Sequence, residues 1–364
     1  MNTINKIMMR IKNKTRLCVL LVLSALCCRA AQARTVTDMA GRRVNIPDRV
    51  DRVVADRFVS LIAFALDAKM LCNAAFRVSD AGKKYISEEY YTGKPLMETD
   101  AEEVLKLRPD VILTANLGGT TRENADVMQR RLKIPVLVVD FEMKRYRNAF
   151  AFLGEALNRA EAAGRITAYI DRYLAPLNRL TAAVPQEKRP SVYYAEGLLG
   201  LNTEPSGSIH SQVIDFLNAK NVARTRLGDV HGMSEVSMEQ LLIWNPDAVV
   251  VWSGFPSGMG LPGNDGQKKK TTFEHIVSDP VWAKVAAVKN GRVYQVPALP
   301  FGWLDRPPSS NCLPGTLWLA KILYPDLFDF DTTEALREYF LLFYHVKVTE
   351  DELESIMSGT GNRK

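Results

Sequence analysis

Cysteine is scarce in this sequence, and most of it lies near the start of the chain. The 364 residues include five cysteines, of which Cys18, Cys27 and Cys28 lie within the first 33 positions. The two that remain, Cys72 and Cys312, are far apart in sequence. An oxidising compartment would permit a disulfide between them, but two cysteines cannot define a disulfide framework, and two buried thiols are an equally good interpretation.

Motifs for enzymatic chemistry or for a bare metal ion are also missing. The sequence has no G-x-S-x-G nucleophile elbow, no phosphate-binding G-x-x-x-x-G-K-[ST] loop and no H-x-x-x-H or C-x-x-C pair. His210 and His231 match no metal-ligand spacing, and His275 and His345 fall in predicted helices. We therefore expect a protein that is not an enzyme, has no cofactor and binds a metal only when the metal arrives already chelated.

The chain also lacks an apolar run long enough to cross a membrane. Its N-terminal block LCVLLVLSALCC has 12 residues, whereas a spanning helix needs about 20. Basic residues precede this block and the small-residue segment AQA follows it, which is the order of a secretory signal peptide over residues 1–33. Cleavage after Ala33 would leave Arg34 as the first residue. A lipoprotein signal ending at Cys27 or Cys28 is less favoured, because Leu26 is not a small residue.

The net positive charge of the chain comes from this signal segment. The formal net charge is +6, and residues 1–33 contain six Lys or Arg residues and no acidic residue. Export would therefore leave a mature chain without net charge. Nucleic-acid binding requires a basic face on the mature protein, so we expect no nucleic-acid partner.

Short apolar runs alternate with helical patterns in two parts of the chain. Uninterrupted apolar runs are typical of parallel strands that are buried on both faces, and their alternation with helices predicts α/β lobes. The candidate strands are residues 52–55, 110–114 and 135–140 in the first part, and 191–196, 248–253 and 292–297 in the second.

A long helical pattern separates the two parts. Apolar residues recur at helical spacing from 149 to about 182, with a kink or break expected at Pro176. We predict an N-terminal α/β lobe at 34–148, a linking helix at 149–184, and a C-terminal α/β lobe with a helical end at 185–364.

One pattern occurs in both lobes. AEEVLKLRPDVIL and MEQLLIWNPDAVV each place a Glu seven residues before a Pro-Asp pair, and Pro109 corresponds to Pro246. The pattern predicts the same unit twice, namely a helix, a Pro-Asp turn and a buried strand.

Five segments of the chain carry a family resemblance, namely residues 100–113, 207–223, 236–251, 288–297 and 303–325. In this order they resemble segments of the periplasmic substrate-binding proteins of ABC importers, in the class that carries iron-siderophores, haem and vitamin B12. The resemblance implies two α/β lobes with mostly parallel sheets, joined by one long rigid helix, with the ligand in the cleft between them.

The resemblance also implies a partner and a location. In this family each lobe offers a surface Glu to an Arg pocket of the inner-membrane permease, and the matching positions are Glu102 and Glu239. The helix dipole favours a carboxylate in a first helical turn, although two simply solvated glutamates would fit the same pattern. The protein is expected to be a periplasmic monomer that docks on this permease.

The carboxyl ends of parallel strands line the crevice of an open α/β sheet. This rule selects Arg57, which follows the first strand, and Tyr194 and Trp252, which lie near the ends of theirs. It also selects the loop that contains Trp303 and Arg306, our strongest candidates for ligand contact. The alternatives are that Tyr194, Trp252 and Trp303 pack in the core, and that Arg306 pairs with its neighbouring aspartate.

A second group of candidates lies at a predicted helix start. Ser208 and His210 open a helix whose N–H groups would favour an anion. His231 and Tyr85 are weaker candidates.

The cargo is expected to be a ferric siderophore or a similar metal chelate, and anionic because of the cleft arginines. Molybdate or another oxyanion, a nickel chelate, haem and cobalamin are alternatives on the same architecture. Haem would need a Tyr or His ligand, for which Tyr194 and His210 are candidates. A fold alone does not decide the cargo.

Overall fold

The N-terminal lobe is built around a parallel sheet of three strands. The computed structural model describes residues 33–97, 100–224, 233–252 and 270–358, so all of the predicted signal segment except Ala33 lies outside the described residues. The first five strands are β1 (Ala33–Thr37), β2 (Arg43–Pro47), β3 (Val53–Ala55), β4 (Val111–Ala115) and β5 (Val136–Val139). β1 and β2 form an antiparallel hairpin, and the others lie in the parallel order β3-β4-β5.

The C-terminal lobe has a second parallel sheet. Its strands are β6 (Ser191–Ala195), β7 (Asn202–Thr203), β8 (Lys220–Asn221), β9 (Ser234–Glu235), β10 (Ala248–Val251) and β11 (Val293–Gln295). The parallel sheet has the order β11-β10-β6-β8, and β7 pairs with β9 in a short antiparallel ladder. The prediction of two α/β lobes with mostly parallel sheets is confirmed.

Helices cover both sheets and connect the lobes. The α-helices are Ser60–Leu66, Ala101–Leu107, Thr121–Leu132, Tyr146–Ala156, Ala160–Tyr169, Ala175–Ala183, Gln212–Phe216, Met238–Trp244, Thr272–Ser278, Ala286–Lys289, Cys312–Leu323, Thr332–Phe343 and Glu350–Ser358. Short 3-10 turns occupy Gly82–Tyr85, Glu88–Tyr90, Met143–Arg145, Gln186–Lys188 and Trp282–Lys284. Within the described ranges, no helix combines the length and the apolar character that crossing a bilayer requires.

The repeated Pro-Asp pattern fastens one pair of neighbouring strands in each lobe. In the first copy, Asp110 Oδ2 accepts the backbone N–H of Arg52 at 2.9 Å, directly before β3. In the second copy, Asp247 Oδ2 accepts the backbone N–H of Ser191 at 2.8 Å, at the start of β6. β3 pairs with β4 and β6 pairs with β10, so the aspartate that opens one strand secures its neighbour. The two copies therefore do the same structural work.

The helix that links the lobes begins later than predicted. The helix from Tyr146 ends at Ala156, Asn158 has a φ of 58°, and a new helix begins at Ala160. The two helices approach closely because Gly154 has no side chain: a Cβ there would lie 2.3 Å from the Cβ of Ala163. The prediction of one continuous helix from position 149 is therefore wrong in its first part.

The expected break at Pro176 is also absent. The chain stays helical through a π-helical turn at Ile170–Leu174 and on to Ala183, with Pro176 in the first turn of the last helical segment. Proline cannot donate a backbone hydrogen bond, which usually breaks a helix. Here a π turn lies directly before Pro176 and changes the register of the backbone hydrogen bonds at that point. The linking helix therefore runs from 160 to 183.

The C-terminal helices return to the N-terminal lobe. The helix Thr332–Phe343 packs on the helix Ser60–Leu66. The backbone N–H of Ser87 donates to the carbonyl oxygen of Tyr344 at 2.9 Å, and Lys84 Nζ lies 2.7 Å from Glu352 Oε1. By these contacts, the end of the predicted 185–364 lobe belongs to the N-terminal side.

Aromatic rings join the C-terminal helices to the N-terminal lobe and to the linking helix. The rings of Tyr339 and Phe343 stack with centroids 4.5 Å apart. Phe343 also contacts Phe150 of the N-terminal lobe at 5.7 Å and Tyr169 of the linking helix at 5.6 Å. All four side chains are fully buried, and the core that contains them continues to Val250 of the C-terminal sheet, so the lobes share one hydrophobic core.

The two cysteines of the folded region are not bonded to each other. Cys72 and Cys312 are both free thiols, and Cys312 is buried at the start of the helix Cys312–Leu323. Of the two interpretations left open by the sequence, the structure has the one without a disulfide.

Phe343→Ala should destabilise the whole molecule. Truncation of a fully buried Phe costs about 3–5 kcal/mol, and the shared core predicts that unfolding remains a single transition. Urea unfolding followed by circular dichroism measures both properties. Leu341→Ala is the control, because Leu341 lies on the same helix but is 47% exposed. Two separate transitions, with only one shifted by Phe343→Ala, would contradict the shared core.

Candidate functional site

Three segments meet at one edge of the C-terminal sheet. Glu196 directly follows β6, and Trp252 directly follows β10. The Trp252 N–H donates to the carbonyl oxygen of Ala195 at 3.0 Å, and the Val296 N–H donates to that of Val251 at 2.9 Å. The loop after β11 therefore begins beside the other two segments. This is the edge at which parallel α/β sheets bind ligands.

The loop from 297 to 311 is held rigidly against the helix that follows it. The Gly302 N–H donates to the carbonyl oxygen of Arg306 at 2.8 Å, and Asn311 Nδ2 donates to that of Gly302 at 2.5 Å. Gly315 permits the close approach of helix and loop, since a Cβ there would lie 2.0 Å from the carbonyl oxygen of Trp303. The backbone that carries Arg306 is thus fixed before any ligand binds.

The guanidinium of Arg306 lies among three carboxylates and one imidazole. Its Nη2 is 2.8 Å from Glu196 Oε1 and 3.3 Å from Glu204 Oε1. Its Nη1 contacts Asp305 Oδ2 and His210 Nδ1. We call these five residues the Arg306 cluster.

The carboxylates of the cluster are more deeply buried than its basic groups. The side chains of Glu196 and Glu204 are 0% exposed and that of Asp305 is 2% exposed, whereas Arg306 retains 21% and His210 14%. Solvent, and hence a ligand in the cleft, reaches the cluster through the arginine and the histidine.

Burial and charge set the ionisation of the three carboxyl groups. Burial raises the pKa of Glu196 well above its ordinary value, against the Arg306 charge, and the negative charges of Asp305 and Glu204 raise it further. Burial also raises the pKa of Glu204. For Asp305, the Arg306 charge and the hydrogen bond with His210 outweigh burial and lower the pKa. The arginine thus stabilises the charge of Asp305 most strongly.

Trp252 covers one face of the arginine. The carbon of the Arg306 guanidinium lies 4.8 Å from the centroid of the Trp252 ring, within cation–π distance. Trp252 is itself only 8% exposed. The aromatic surface that the sequence suggested for a ligand is therefore occupied by Arg306.

Two other candidates support the cluster from behind. The hydroxyl of Tyr194 donates to Asp305 Oδ1 at 2.5 Å, and the hydroxyl of Ser208 donates to Glu204 Oε2 at 2.8 Å. Tyr194 is completely buried and Ser208 nearly so. In this structure, both orient carboxylates rather than face the cleft.

Trp303 is a core residue, which corrects the expectation of a cleft contact. It is completely buried, its Nε1 donates to the carbonyl oxygen of Leu299 at 2.9 Å, and its ring packs on Phe340. The tight loop turns the indole inward, while Arg306, three residues later, points to the cluster.

The remaining candidates are dispersed. Arg57 follows β3 and is exposed on the N-terminal lobe. Tyr85 is buried and packs near Phe340. His231 lies outside the described residues. The structure places neither Arg57 nor Tyr85 in the Arg306 cluster.

The acidic members of the cluster were missed as candidates. Glu196 and Asp305 lie in segments that the strand-end rule selected, but Asp305 was considered only as a possible partner of Arg306. Glu204 lies only four residues before Ser208, at the end of β7. An acidic residue directly after a buried parallel strand, as at Glu196, was the signal available in the sequence.

Hydrogen bonds connect the two lobes near this edge. Ser309 Oγ donates to the carbonyl oxygen of Phe58 at 2.7 Å, and the Met143 N–H donates to Gln212 Oε1 at 2.9 Å. Ser309 follows the Arg306 loop and Gln212 follows His210 closely. The cluster therefore lies beside the junction of the lobes.

A family model described as "Periplasmic binding protein" matches residues 60–299. The chain belongs to the periplasmic binding protein family. This confirms the resemblance that the sequence segments carried.

Individual members of the family match most of the chain. The molybdate-binding protein MolA of Haemophilus influenzae is 27% identical, over 91% of this chain and 96% of that protein. The haem uptake protein IsdE of Staphylococcus aureus is 25% identical, over 58% of this chain and 67% of that protein. The solved ABC transporter solute-binding protein of Sulfurospirillum deleyianum is 25% identical and superimposes with a TM-score of 0.77, over 89% and 98% of the two chains.

Both glutamates that the family resemblance singled out lie on exposed first turns of helices. Glu102 follows the cap residue Asp100, whose Oδ1 accepts the Glu102 N–H at 3.1 Å. Glu239 lies in the equivalent helix of the other lobe, where the cap residue is Ser237. The two positions are equivalent in local structure, as the repeat predicted.

The free energy of unfolding of Glu196→Gln, relative to that of the wild type, should increase as pH rises. A carboxyl whose folded pKa is raised binds its proton more tightly in the folded state, so stability is lost above the ordinary value of 4.5. Glutamine mimics the protonated form and removes this loss, by about 1.4 kcal/mol per unit of pKa difference. Urea unfolding from pH 4.5 upward measures it. Exposed Glu102→Gln is the control, and a difference independent of pH would contradict the raised pKa.

Proposed function

We propose that this protein is the substrate-binding component of an ABC importer, that it is exported by the signal segment 1–33, and that it delivers a small metal complex to an inner-membrane permease. The family assignment and the similarity to solute-binding proteins support the transport role. The Arg306 cluster supports the choice of cargo.

The hydrogen-bond partners of Arg306 carry this choice. Three buried carboxyl groups surround its guanidinium, and their oxygens already take up its N–H groups. The sequence suggested that Arg306 would attract an anion, but in the structure an anion would first have to displace a carboxyl group from the arginine. A metal complex with a cationic face complements these carboxyl oxygens better than an anionic siderophore does.

The positions of the aromatic side chains support a small cargo. A large planar ligand such as haem needs an open aromatic wall, but Trp303 is buried and Trp252 is covered by Arg306. Tyr194 could not serve as a haem ligand without breaking its hydrogen bond to Asp305. A compact complex fits these constraints without rearrangement of the core.

Molybdate is the second candidate cargo. A relative that matches nearly the full length of the chain is named as a molybdate-binding protein. Arg306 and His210 are the members of the cluster that solvent reaches, and N–H groups of a guanidinium and of an imidazole are suitable donors to an oxyanion. This reading requires Arg306 to exchange a carboxylate for the ligand.

The cargo test is a titration of the purified chain that is monitored by calorimetry and by tryptophan fluorescence, with Trp252 as the expected reporter. We expect saturable binding of a nickel–histidine or ferric complex and weak binding of molybdate, because the N–H groups of Arg306 that an anion would need already contact carboxyl groups. Tight binding of molybdate alone would contradict this choice. In that case Arg306→Ala should weaken molybdate binding by about 1.5–3 kcal/mol, the scale of a charged hydrogen bond.

The two first-turn glutamates are proposed to dock on the permease. Changing Glu102 and Glu239 together to Ala should leave cargo affinity unchanged and reduce uptake into cells at least tenfold, because both lobes lose a charged contact. Radiolabelled-metal uptake and calorimetry measure the two effects. Glu161→Ala, on the exposed face of the linking helix, is the control. Lost cargo affinity in the double variant would exclude a docking role.

A further inference from the structure

Glu204, His210 and Asp305 place one potential metal-ligand atom each within 4.8 Å of one another. His210 Nδ1 and Asp305 Oδ2 are 3.0 Å apart. Two ligands at neighbouring corners of an octahedron with bonds of about 2.1 Å are also separated by about 3 Å. The pair therefore already has the spacing of adjacent ligands on one ion, and Glu204 needs only a small side-chain movement to join it.

The hydrogen bonds behind these residues leave one carboxyl oxygen of Asp305 and one of Glu204 directed toward the common centre. Tyr194 fixes Oδ1 of Asp305, which leaves Oδ2 facing His210. Ser208 fixes Oε2 of Glu204, which leaves Oε1 facing the cluster, and the same hydroxyl accepts the backbone N–H of His210 at 3.1 Å. Ligands of protein-bound metals are commonly held in this way by a second layer of hydrogen bonds.

The guanidinium of Arg306 contacts the same three atoms. Its Nη1 contacts His210 Nδ1 and Asp305 Oδ2, and its Nη2 lies 3.3 Å from Glu204 Oε1. A metal ion bound there would need these contacts for itself. Arg306 and a metal ion are therefore alternative cations for one site.

Glu196 supplies an independent sign that the cluster is not fully satisfied. Its Oε1 accepts a hydrogen bond from Arg306, while its buried Oε2 has no hydrogen-bond partner among the described residues. A buried carboxyl oxygen without a partner is costly. Glu196 can retain Arg306 when the other three residues release it, so the arginine need not leave its buried surroundings unpaired.

We propose that Glu204, His210 and Asp305 bind a first-row transition-metal dication directly, and that Arg306 occupies this site until the metal displaces it. This inference rests on the proposed function and makes it more specific, because the protein itself would supply three ligands of the cargo metal. One imidazole and two carboxylates suit Ni²⁺, Co²⁺ or Zn²⁺, and open coordination positions would hold water or a small chelator.

The decisive variant is Arg306→Gln, because it should strengthen metal binding. Removal of the competing cation should raise the affinity for NiCl2 severalfold, measured by calorimetry. If Arg306 instead binds an oxyanion, the same change should lower the affinity for that oxyanion. His210→Ala should lower nickel affinity more than tenfold, and Tyr194→Phe by about tenfold, as expected for the loss of a second-layer hydrogen bond. His275→Ala, on a helix outside the cluster, is the control.

Co²⁺ absorption provides a second readout that does not depend on affinity alone. The wild-type chain should develop visible bands of protein-bound cobalt, and these bands should change in His210→Ala. Circular dichroism checks that each variant is folded. If Arg306→Gln does not fold, Arg306→Lys replaces it. The lysine side chain is shorter and lacks the paired N–H groups of a guanidinium, so this variant should also bind the metal more tightly than the wild type.

The possible failures are distinguishable. If chelated metal binds but NiCl2 and CoCl2 do not, direct ligation is wrong and the proposed function stands. If Arg306→Gln lowers nickel affinity, Arg306 does not compete with the metal and the proposal is overturned. If only molybdate binds, both this proposal and the metal-complex cargo are wrong.

Discussion

The pairing of one guanidinium with three buried carboxyl groups is the interaction on which the site depends. Glu196, Glu204 and Asp305 come from different segments, and a buried carboxyl group without a hydrogen-bond or charge partner is costly. Arg306 can compensate them only from one position, so the loop that carries it must be rigid. The hydrogen bonds across that loop and the close contact at Gly315 provide this rigidity.

A second constraint comes from the core that the lobes share. The C-terminal helices return to the N-terminal lobe, and the rings around Phe343 join these helices to that lobe and to the linking helix. The same core continues into the C-terminal sheet, so wide separation of the lobes would expose apolar surface to water. If the Arg306 cluster binds the cargo as proposed, its place at this junction means that the site is largely formed before the ligand arrives, which reduces the entropic cost of binding.

The fold and the cargo are decided by different parts of the molecule. Relatives named for molybdate and for haem match the same family architecture, so the sheets and the linking helix do not distinguish these ligands. The strand ends of the C-terminal sheet carry the feature on which our cargo proposal rests. It is an arginine surrounded by acidic groups, to which its hydrogen bonds are already given.

The sequence by itself determined the alternation of strands and helices, the two lobes and the repeated Pro-Asp unit, because apolar spacing and turn residues act over a few neighbouring positions. It also placed Arg306 at the site. It did not determine where the linking helix begins, since that depends on the contact between Gly154 and Ala163. Nor did it reveal that Trp303 turns inward or that Glu196 meets Arg306 across 110 positions. Only tertiary structure decides these features, because burial and charge pairing depend on residues that are distant in the chain.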